Sequence, residues 1–417
     1  MKNIILLFVA FLATEFLLQA VCIFSPHVDS MIFKSYATGP VTLGGGASGR
    51  MGNPDRADHD ANGYRNKKVP DTASIVVLGD SQSYGTNVFR EEAWPYLVQH
   101  RTGLTTYNMG LGGYGPAHNL LQLDQALALS PELVIVAIYF GNDFFDNFRL
   151  SLRNERISRF LNKDELQLIK DLENNSPIRE KAHVLFRRGA RAPEPGNISQ
   201  VHEKSAIHDW LSRHSALWGL LRESKNAVKT YLAGEGILAN RFEIATAAIT
   251  REQLNYSSIF EGEDWRTILT SPYRDLVNDR SDPRVDLGFD ITLRLLPEMQ
   301  GRVRSSGADL LIMLIPTKES VFAKRVIVPD KHIGYSSLVS NEGNNREQLI
   351  EFLEREKIQY IDVLSVLQMA EHQPYPENAD GHPNPFGHSI IADRVIDWLQ
   401  QKQRAASIGL ASVTGTD

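Results

Sequence analysis

Short apolar runs alternate with helical patterns along most of the chain. The runs are rich in β-branched side chains, which is typical of strands buried on both faces of a parallel sheet. Between them, leucine and isoleucine recur at helical spacing, as in 117–129 and 346–356, and Asn384-Pro385 has the sequence of a helix start. This alternation predicts an α/β fold, a three-layer α/β/α domain with a mostly parallel sheet. The predicted strands are 74–78, 105–107, 133–140, 310–315 and 360–363.

One long segment, 151–299, interrupts this alternation. It is charged and helix-prone and contains few strand-like runs. We predict a mostly helical insertion here, between the two parts of a catalytic domain, 71–150 and 300–402. Because the insertion follows a loop at the predicted site, we expect it to form one wall or a lid of the pocket. Its aromatic residues could stack on sugar rings or pack in the insertion's own core: Trp210, Trp218, Tyr256, Trp265 and Tyr273.

The N-terminus contains a nearly continuous apolar run, Ile4 to Phe24, which would span about 31 Å as a helix. This length favours an uncleaved signal anchor over 1–26, with a cleaved signal peptide as the alternative. Glu15, in the middle of the run, is costly in a membrane. Lipidation of Cys22 is disfavoured, because Val21 stands where a small residue is expected. Both the anchor and the cleaved signal place the rest of the chain outside the cytoplasm, membrane-anchored or secreted.

The termini and the composition set further limits. We expect 27–70 to be an extended segment and 403–417 a flexible tail. The net charge is −6, which gives no electrostatic reason to expect nucleic acid as a partner. Cys22 is the single cysteine, so no intramolecular disulfide can form and the fold must be held by its core. The sequence leaves the oligomeric state open.

Polar and glycine-rich segments follow the predicted strands. Gly79-Asp80-Ser81 follows the first strand, the glycine-rich run 108–115 the second, and Gly141-Asn142-Asp143 the third. Asp380-Gly381-His382 lies in the loop after the last strand. The carboxyl ends of parallel strands meet at one edge of the sheet, where ligands bind. We therefore expect these four segments to form one site.

Three of these side chains have the chemistry of an acyl-transfer site. Such a site needs a hydroxyl nucleophile, an imidazole that takes its proton and a carboxylate that orients the imidazole. Ser81, His382 and Asp380 can supply them in that order. The alternative for Ser81 is a plain helix N-cap, and for His382 a surface loop histidine.

The same site needs donors for a developing oxyanion. The backbone N–H of Ser81, the side-chain amide of Asn142 and a backbone N–H of the glycine turn can serve. Gly113 is the favoured glycine, and Gly112 the alternative. Asn142 and Asp143 could instead only form a turn. We expect Asp143 to be structural.

The chain resembles the SGNH/GDSL hydrolase superfamily through four blocks in family order: VVLGDSQSYG, NMGLGGYG, Gly141-Asn142-Asp143 and DGHPNPFGH. The segments 60–66 and 315–319 also resemble envelope-associated members, including the alginate O-acetylation proteins. The resemblance implies a flavodoxin-like sheet and a Ser81-His382-Asp380 enzyme acting on ester bonds. It further implies an O-acyl, chiefly O-acetyl, glycan as substrate and the membrane as a location.

One departure from the family pattern keeps alternatives open. Asp380 and His382 are two positions apart, where the common last block has three. This spacing occurs in the alginate-acetylation branch and raises O-acetyl transfer to a sugar as an alternative to hydrolysis. A non-catalytic glycan-binding assembly subunit is a further alternative, although such a protein has no need of an oriented nucleophile.

Other chemistries are disfavoured. Gly110 to Gly115 matches the dinucleotide fingerprint G-x-G-x-x-G, but it follows the second strand and lacks the expected acidic residue downstream. His372, His382 and His388 have no metal-site spacing, so we predict no metal and no cofactor. Lys318-Glu319 is either a solvated ion pair or a pair of substrate contacts.

Overall fold

The computed structural model describes residues 58–175 and 249–413 and several shorter stretches, namely 2–25, 39–43, 47–51, 215–221, 241–247 and residues 28, 32, 54 and 211. The strands in this part of the chain are β1 (Gly39–Leu43), β2 (Ala47–Met51), β3 (Ile75–Leu78), β4 (Thr106–Asn108), β5 (Leu133–Tyr139), β6 (Ser258–Glu261), β7 (Arg266–Leu269), β8 (Asp309–Ile315) and β9 (Gln359–Asp362). The α-helices are Lys2–Phe24, Ser81–Tyr84, Trp94–Thr102, Pro116–Leu127, Asp143–Ser151, Glu155–Ser158, Lys163–Asn175, Arg241–Ala247, Ser271–Leu276, Pro283–Ser305, Lys318–Phe322, Tyr335–Arg355, Leu364–Gln368 and Pro385–Val413.

A five-stranded sheet lies at the centre of the fold, in the order β4-β3-β5-β8-β9. Every neighbouring pair in it is parallel. The five predicted strands are all present, each bound within one residue of the prediction. The predicted α/β fold with a parallel sheet is therefore confirmed. The hairpins β1–β2 and β6–β7 are antiparallel and separate from this sheet.

Helices cover both faces of the sheet. Alternate residues of one strand enter opposite cores: Val76 packs in one cluster with the helix Pro283–Ser305, and Val77 in the other with the helix Pro385–Val413. All residues of β3 and β5 are buried. This burial on both faces explains why these strands are continuous apolar runs in the sequence.

The strand order places the site. In chain order the sheet reads 2-1-3-4-5, in which the direction of winding reverses between β3 and β5. Ligands of open α/β sheets bind at this switch point, beyond the carboxyl ends of the strands. Ser81 follows β3 and Asn142 follows β5, so both lie at this position.

The segment 151–299 contains helices together with the β6–β7 hairpin, which the sequence did not predict. Trp265, in the turn of this hairpin just before β7, is 1 % exposed and packs against Phe322, so it belongs to the core and is not available to stack on a sugar. Trp210 lies outside the described residues. The last helix continues to Val413, through part of the predicted tail, because its sequence there is rich in helix-forming alanine. The domain boundaries remain a prediction.

The N-terminal apolar run forms the helix Lys2–Phe24. The carboxylate of Glu15 accepts hydrogen bonds from Ser215 Oγ at 2.8 Å and from the backbone N–H groups of Ala216 at 2.8 Å and Leu217 at 2.9 Å. A costly charge in the middle of the helix is thereby met by polar partners. Among the described residues no helix is both long and apolar enough to cross a membrane, so the predicted membrane span is not found.

Candidate active site

The turn after β3 presents Ser81 at the edge of the sheet. A Cβ built on Gly79 would lie 2.4 Å from Ser83 Oγ, so only glycine allows the next helix to begin this close to the strand. The buried Asp80 side chain caps that helix by accepting a hydrogen bond from the Gln82 N–H at 2.9 Å. The N-cap is therefore Asp80, and Ser81 is the first helical residue, partly exposed.

His382 connects Ser81 to Asp380. Its Nε2 lies 2.8 Å from Ser81 Oγ, and its Nδ1 lies 2.6 Å from Asp380 Oδ1. An ionised carboxylate can only accept a hydrogen bond, so Nδ1 carries the proton of a neutral ring and Nε2 is the acceptor. This tautomer can take the proton of the Ser81 hydroxyl. The structure thus brings together the three residues that the sequence assigns to nucleophile, base and orienting acid.

The two-residue spacing fits this geometry. Asp380 Oδ1 accepts the backbone N–H of His382 at 2.8 Å as well as the ring N–H of the same residue. Burial acts to raise the pKa of Asp380, but the imidazole of His382 and these hydrogen bonds outweigh it and lower the pKa to about 2. Asp380 is therefore ionised at neutral pH.

Asn142 is oriented by a residue one helical turn later. Its Nδ2 donates to Asp146 Oδ2 at 2.7 Å, and Arg149 pairs with Asp146 at 3.1 Å. Because a carboxylate binds N–H and not C=O, the contact fixes which end of the Asn142 amide is which. Nδ2 carries a second hydrogen that an oxyanion could accept. The sequence did not single out Asp146, although its i+4 spacing from Asn142 was a usable signal.

The glycine turn lies beside Ser81. A Cβ built on Gly112 would be 3.9 Å from Ser81 Cβ, whereas Gly113 is exposed and a Cβ there would meet nothing within 4 Å. Gly113 has a φ of 78°, in the left-handed region, which is a sufficient reason for glycine at that position. The donor role of Gly113 stays a prediction, with Gly112 nearer to the nucleophile.

Two buried carboxyl groups lie under the site. Asp143 accepts the Tyr139 N–H at 2.9 Å, and its burial, with nearby Asp80, raises its pKa well above the ordinary range. Burial also raises the pKa of Asp80 to about 6. Asp143 thus ties the loop after β5 back to the end of the strand, in the structural position expected from the sequence.

Lys318 supports the loop that carries Asp380. Its side chain is buried, and Nζ donates to Thr267 Oγ1 at 3.1 Å and to the carbonyls of Ile268 and Asn378 at 2.8 and 2.9 Å. Burial lowers the pKa of Lys318 to about 8. Glu319 is equally buried and accepts the Thr270 N–H at 2.8 Å. The expectation of a solvated pair or of substrate contacts is therefore wrong, since both side chains are occupied inside the protein.

Arg274 is a further residue that the sequence did not reveal. Its guanidinium is buried, donates to the Gly141 carbonyl at 2.9 Å, and lies against the ring of Tyr139. It acts on the residue just before Asn142. No local pattern marks an arginine of a distant segment as part of a site. Within the described residues, no group of three metal-ligating side chains is present.

No family model matches the sequence, and no curated protein matches it. Similar solved structures include a lipolytic protein of the G-D-S-L family from Desulfitobacterium hafniense (11 % identity, TM-score 0.32, covering 77 % of this chain and 97 % of that one). Others are TesA (12 %, 0.33, 78 % and 98 %) and a protein described as an acylhydrolase from Bacteroides fragilis (9 %, 0.31, 79 % and 86 %). These similarities are too low to carry an assignment, which rests on the residues of the site.

Proposed function

We propose that the protein is a serine esterase of the SGNH/GDSL type. One observation carries the proposal: the imidazole of His382 bridges Ser81 Oγ at 2.8 Å and Asp380 Oδ1 at 2.6 Å. This is hydrogen-bond distance on both sides, with the tautomer that a general base requires. The four sequence blocks of the family meet at this one edge of the sheet.

The proposed reaction has two halves. Nε2 of His382 takes the hydroxyl proton as Ser81 Oγ attacks the ester carbonyl, and the Ser81 and glycine-turn N–H groups and Asn142 Nδ2 stabilise the oxyanion. The imidazolium then gives its proton to the leaving alcohol, which departs and leaves an acyl-serine. Water, deprotonated by His382, attacks the acyl group, and the proton returns to Ser81 as the acid is released.

The substrate class we propose is an O-acyl, chiefly O-acetyl, group on an envelope or secreted glycan. Its support is the resemblance of segments 60–66 and 315–319 to envelope-associated members and the apolar run at the N-terminus. The same support favours location outside the cytoplasm. A sugar hydroxyl that replaces water in the second half would make the enzyme an O-acetyltransferase, the alternative raised by the Asp380-His382 spacing.

Hydrolysis of p-nitrophenyl acetate and labelling by a fluorophosphonate test the proposal. Ser81→Ala should lower turnover by about 10⁴- to 10⁶-fold and abolish labelling. Ser305→Ala is the matched control, because Ser305 is exposed and precedes β8 at the opposite edge of the sheet. If labelling persists in Ser81→Ala, the assignment of Ser81 as the nucleophile is refuted. Acetate released alone, with a glycan acceptor present, indicates a hydrolase; acetylated glycan indicates a transferase.

A further inference from the structure

Asn87 touches the Asp380 carboxylate from the side opposite His382. Its Nδ2 donates a hydrogen bond to Asp380 Oδ2, whereas the imidazole of His382 binds Oδ1. The two oxygens of the carboxylate therefore have different partners. A carboxylate held at both oxygens cannot turn about its bond to Cβ without breaking a hydrogen bond.

The backbone at Asn87 adopts a conformation that few residues favour. Its φ is 68°, in the left-handed region, where asparagine is the best tolerated residue after glycine. A glycine would adopt this backbone without strain but would offer no amide. The asparagine thus combines the turn with a hydrogen-bond donor aimed at Asp380.

A buried arginine holds the loop on both sides of Asn87. Arg65 is 5 % exposed, and its guanidinium donates to the carbonyls of Gly85 at 2.5 Å and Val88 at 2.8 Å. Its Nε also pairs with Asp58 at 2.8 Å. The loop is therefore fixed by a charged group from the segment before β3, so the position of the Asn87 amide does not depend on the exposed side chain alone.

We propose that Asn87 is a positioning residue, which holds the Asp380 carboxylate so that Oδ1 faces the imidazole of His382. The proposal rests on the function proposed above and deepens it. Asn87 does not touch the reacting atoms; it acts through Asp380. A hydrogen bond to a charged group that is lost on substitution typically changes an equilibrium or a rate by about 10- to 100-fold.

Asn87→Gly removes the amide and retains the left-handed backbone. We expect kcat for p-nitrophenyl acetate to fall about 10- to 100-fold with KM unchanged, because the proposed role of Asn87 acts through Asp380 and not through substrate binding. Lys357→Gly is the matched control. Lys357 also has a left-handed backbone, with a φ of 54°. It is exposed and precedes β9, at the end of the sheet opposite the site. Its substitution should leave kcat unchanged.

Asn87→Asp supplies a readout that a merely structural role would not move. A second negative charge beside Asp380 stabilises the protonated imidazole of His382. The acid limb of kcat/KM should therefore move to higher pH by about 0.5 to 1 unit. The other charged or titratable groups around this pair are the same in wild type and variant: Asp80, Arg274, Lys318 and His388.

The outcomes separate this proposal from the function it rests on. The positioning role of Asn87 is overturned if kcat of Asn87→Gly lies within twofold of wild type, or if the acid limb of kcat/KM does not move in Asn87→Asp. Neither result affects the proposed esterase function. If the wild-type protein neither hydrolyses p-nitrophenyl acetate nor is labelled by the fluorophosphonate, the proposed esterase function is overturned. Asn87 is then judged by the downfield proton resonance of the His382 Nδ1–H: a shift in Asn87→Gly supports the positioning role, and an identical resonance refutes it.

Discussion

The two ends of the segment 151–299 differ in what they contact. The outer arm, residues 155–175, packs on the helix Pro283–Ser305. Two of its ion pairs with that helix, Arg159–Glu298 and Arg294–Glu165, are partly exposed, and a third, Arg284–Glu173, is mostly buried. The inner arm, residues 258–278, bonds to the loop 373–384 that carries Asp380 and His382. The backbone N–H of Arg266 in this arm donates to Gln373 Oε1 at 2.8 Å. One end is attached to the domain; the other helps build its site.

This difference changes the expected role of the insertion. From the sequence we expected the insertion to form one wall or a lid of the pocket. The inner arm also supplies buried donors to the catalytic loops: Arg274 to the carbonyl of Gly141 and Asn278 to that of Phe140, at 2.9 and 2.7 Å. A deletion that includes the inner arm should therefore impair even small-ester hydrolysis. A segment that is poor in strands and rich in charge can still be part of an active site.

The largest effect is expected at Arg274. Arg274→Met leaves the Gly141 carbonyl without its donor and removes one of the two cations, Arg274 and Lys318, that lie near the buried carboxylate of Glu319. We expect the free energy of unfolding to fall by about 3 kcal/mol and kcat to fall about 100-fold. Arg159→Met in the outer arm is the control; its side chain is 52 % exposed, and it should cost about 0.5 kcal/mol or less. Urea denaturation and steady-state kinetics measure both. Equal losses would contradict the division into two arms.

The sequence predicted the sheet well, but it did not predict the buried charged residues that hold the loops of the site, and the reason is physical. Strands buried on both faces leave continuous apolar runs, and the residues after them, such as Ser81 and Asn142, are located by the chain itself. Arg274 and Lys318 are charged residues in ordinary helical sequence, and their burial depends on partners distant in the chain. The glycine turn was recognisable for a similar local reason, but which glycine donates depends on geometry within a few ångströms.

Lys318 joins the inner arm to the loop of Asp380, and pH tests this link. Burial lowers its pKa to about 8 from the ordinary 10.5, so between these values the unfolded chain binds more protons than the native one. Wild type should therefore gain stability relative to Lys318→Met as pH rises from 8 to 10.5, by up to about 3 kcal/mol. Urea denaturation at pH 7.5 and 10 measures the gain. Lys163→Met, which replaces an exposed lysine of the outer arm, is the control: the stability difference between wild type and this variant should be the same at both pH values. If the stability of Lys318→Met changes with pH in parallel with that of wild type, the buried ammonium is refuted.

A substitution at Thr267 tests the same contact between the inner arm and the loop of Asp380, with a smaller expected change in stability. Its Oγ1 lies 2.9 Å from the Pro376 carbonyl and accepts from Lys318 at 3.1 Å. Thr267→Val keeps the shape and the β-branched side chain that suit β7, so the hydroxyl alone is lost. We expect a loss of about 1 to 2 kcal/mol in stability. Ser158→Ala removes an exposed hydroxyl of the outer arm that bonds only within its own turn, and it should change stability by less than about 0.5 kcal/mol. Equal effects would show that the hydroxyl in the inner arm does not support the loop.

The smallest effect is expected at the ion pair of Arg294 with Glu165, which fastens the outer arm. Both Arg294 amino groups lie 2.9 Å from the carboxylate, and the side chains are 37 % and 21 % exposed. A double-mutant cycle of Arg294→Gln and Glu165→Gln should give a coupling of about 0.2 to 1 kcal/mol that weakens with salt. The hydrogen bond from Arg294 lowers the pKa of Glu165, so the coupling is present above the ordinary carboxyl range and fades as pH falls below it. None of the three variants should change kcat, because within the described residues the hydrogen bonds of this pair go to Phe160, Asn162 and Asp290 and not to a residue of the site. A kcat that falls with the coupling would mean that the outer arm also positions the site, and the contrast between the two arms would be lost.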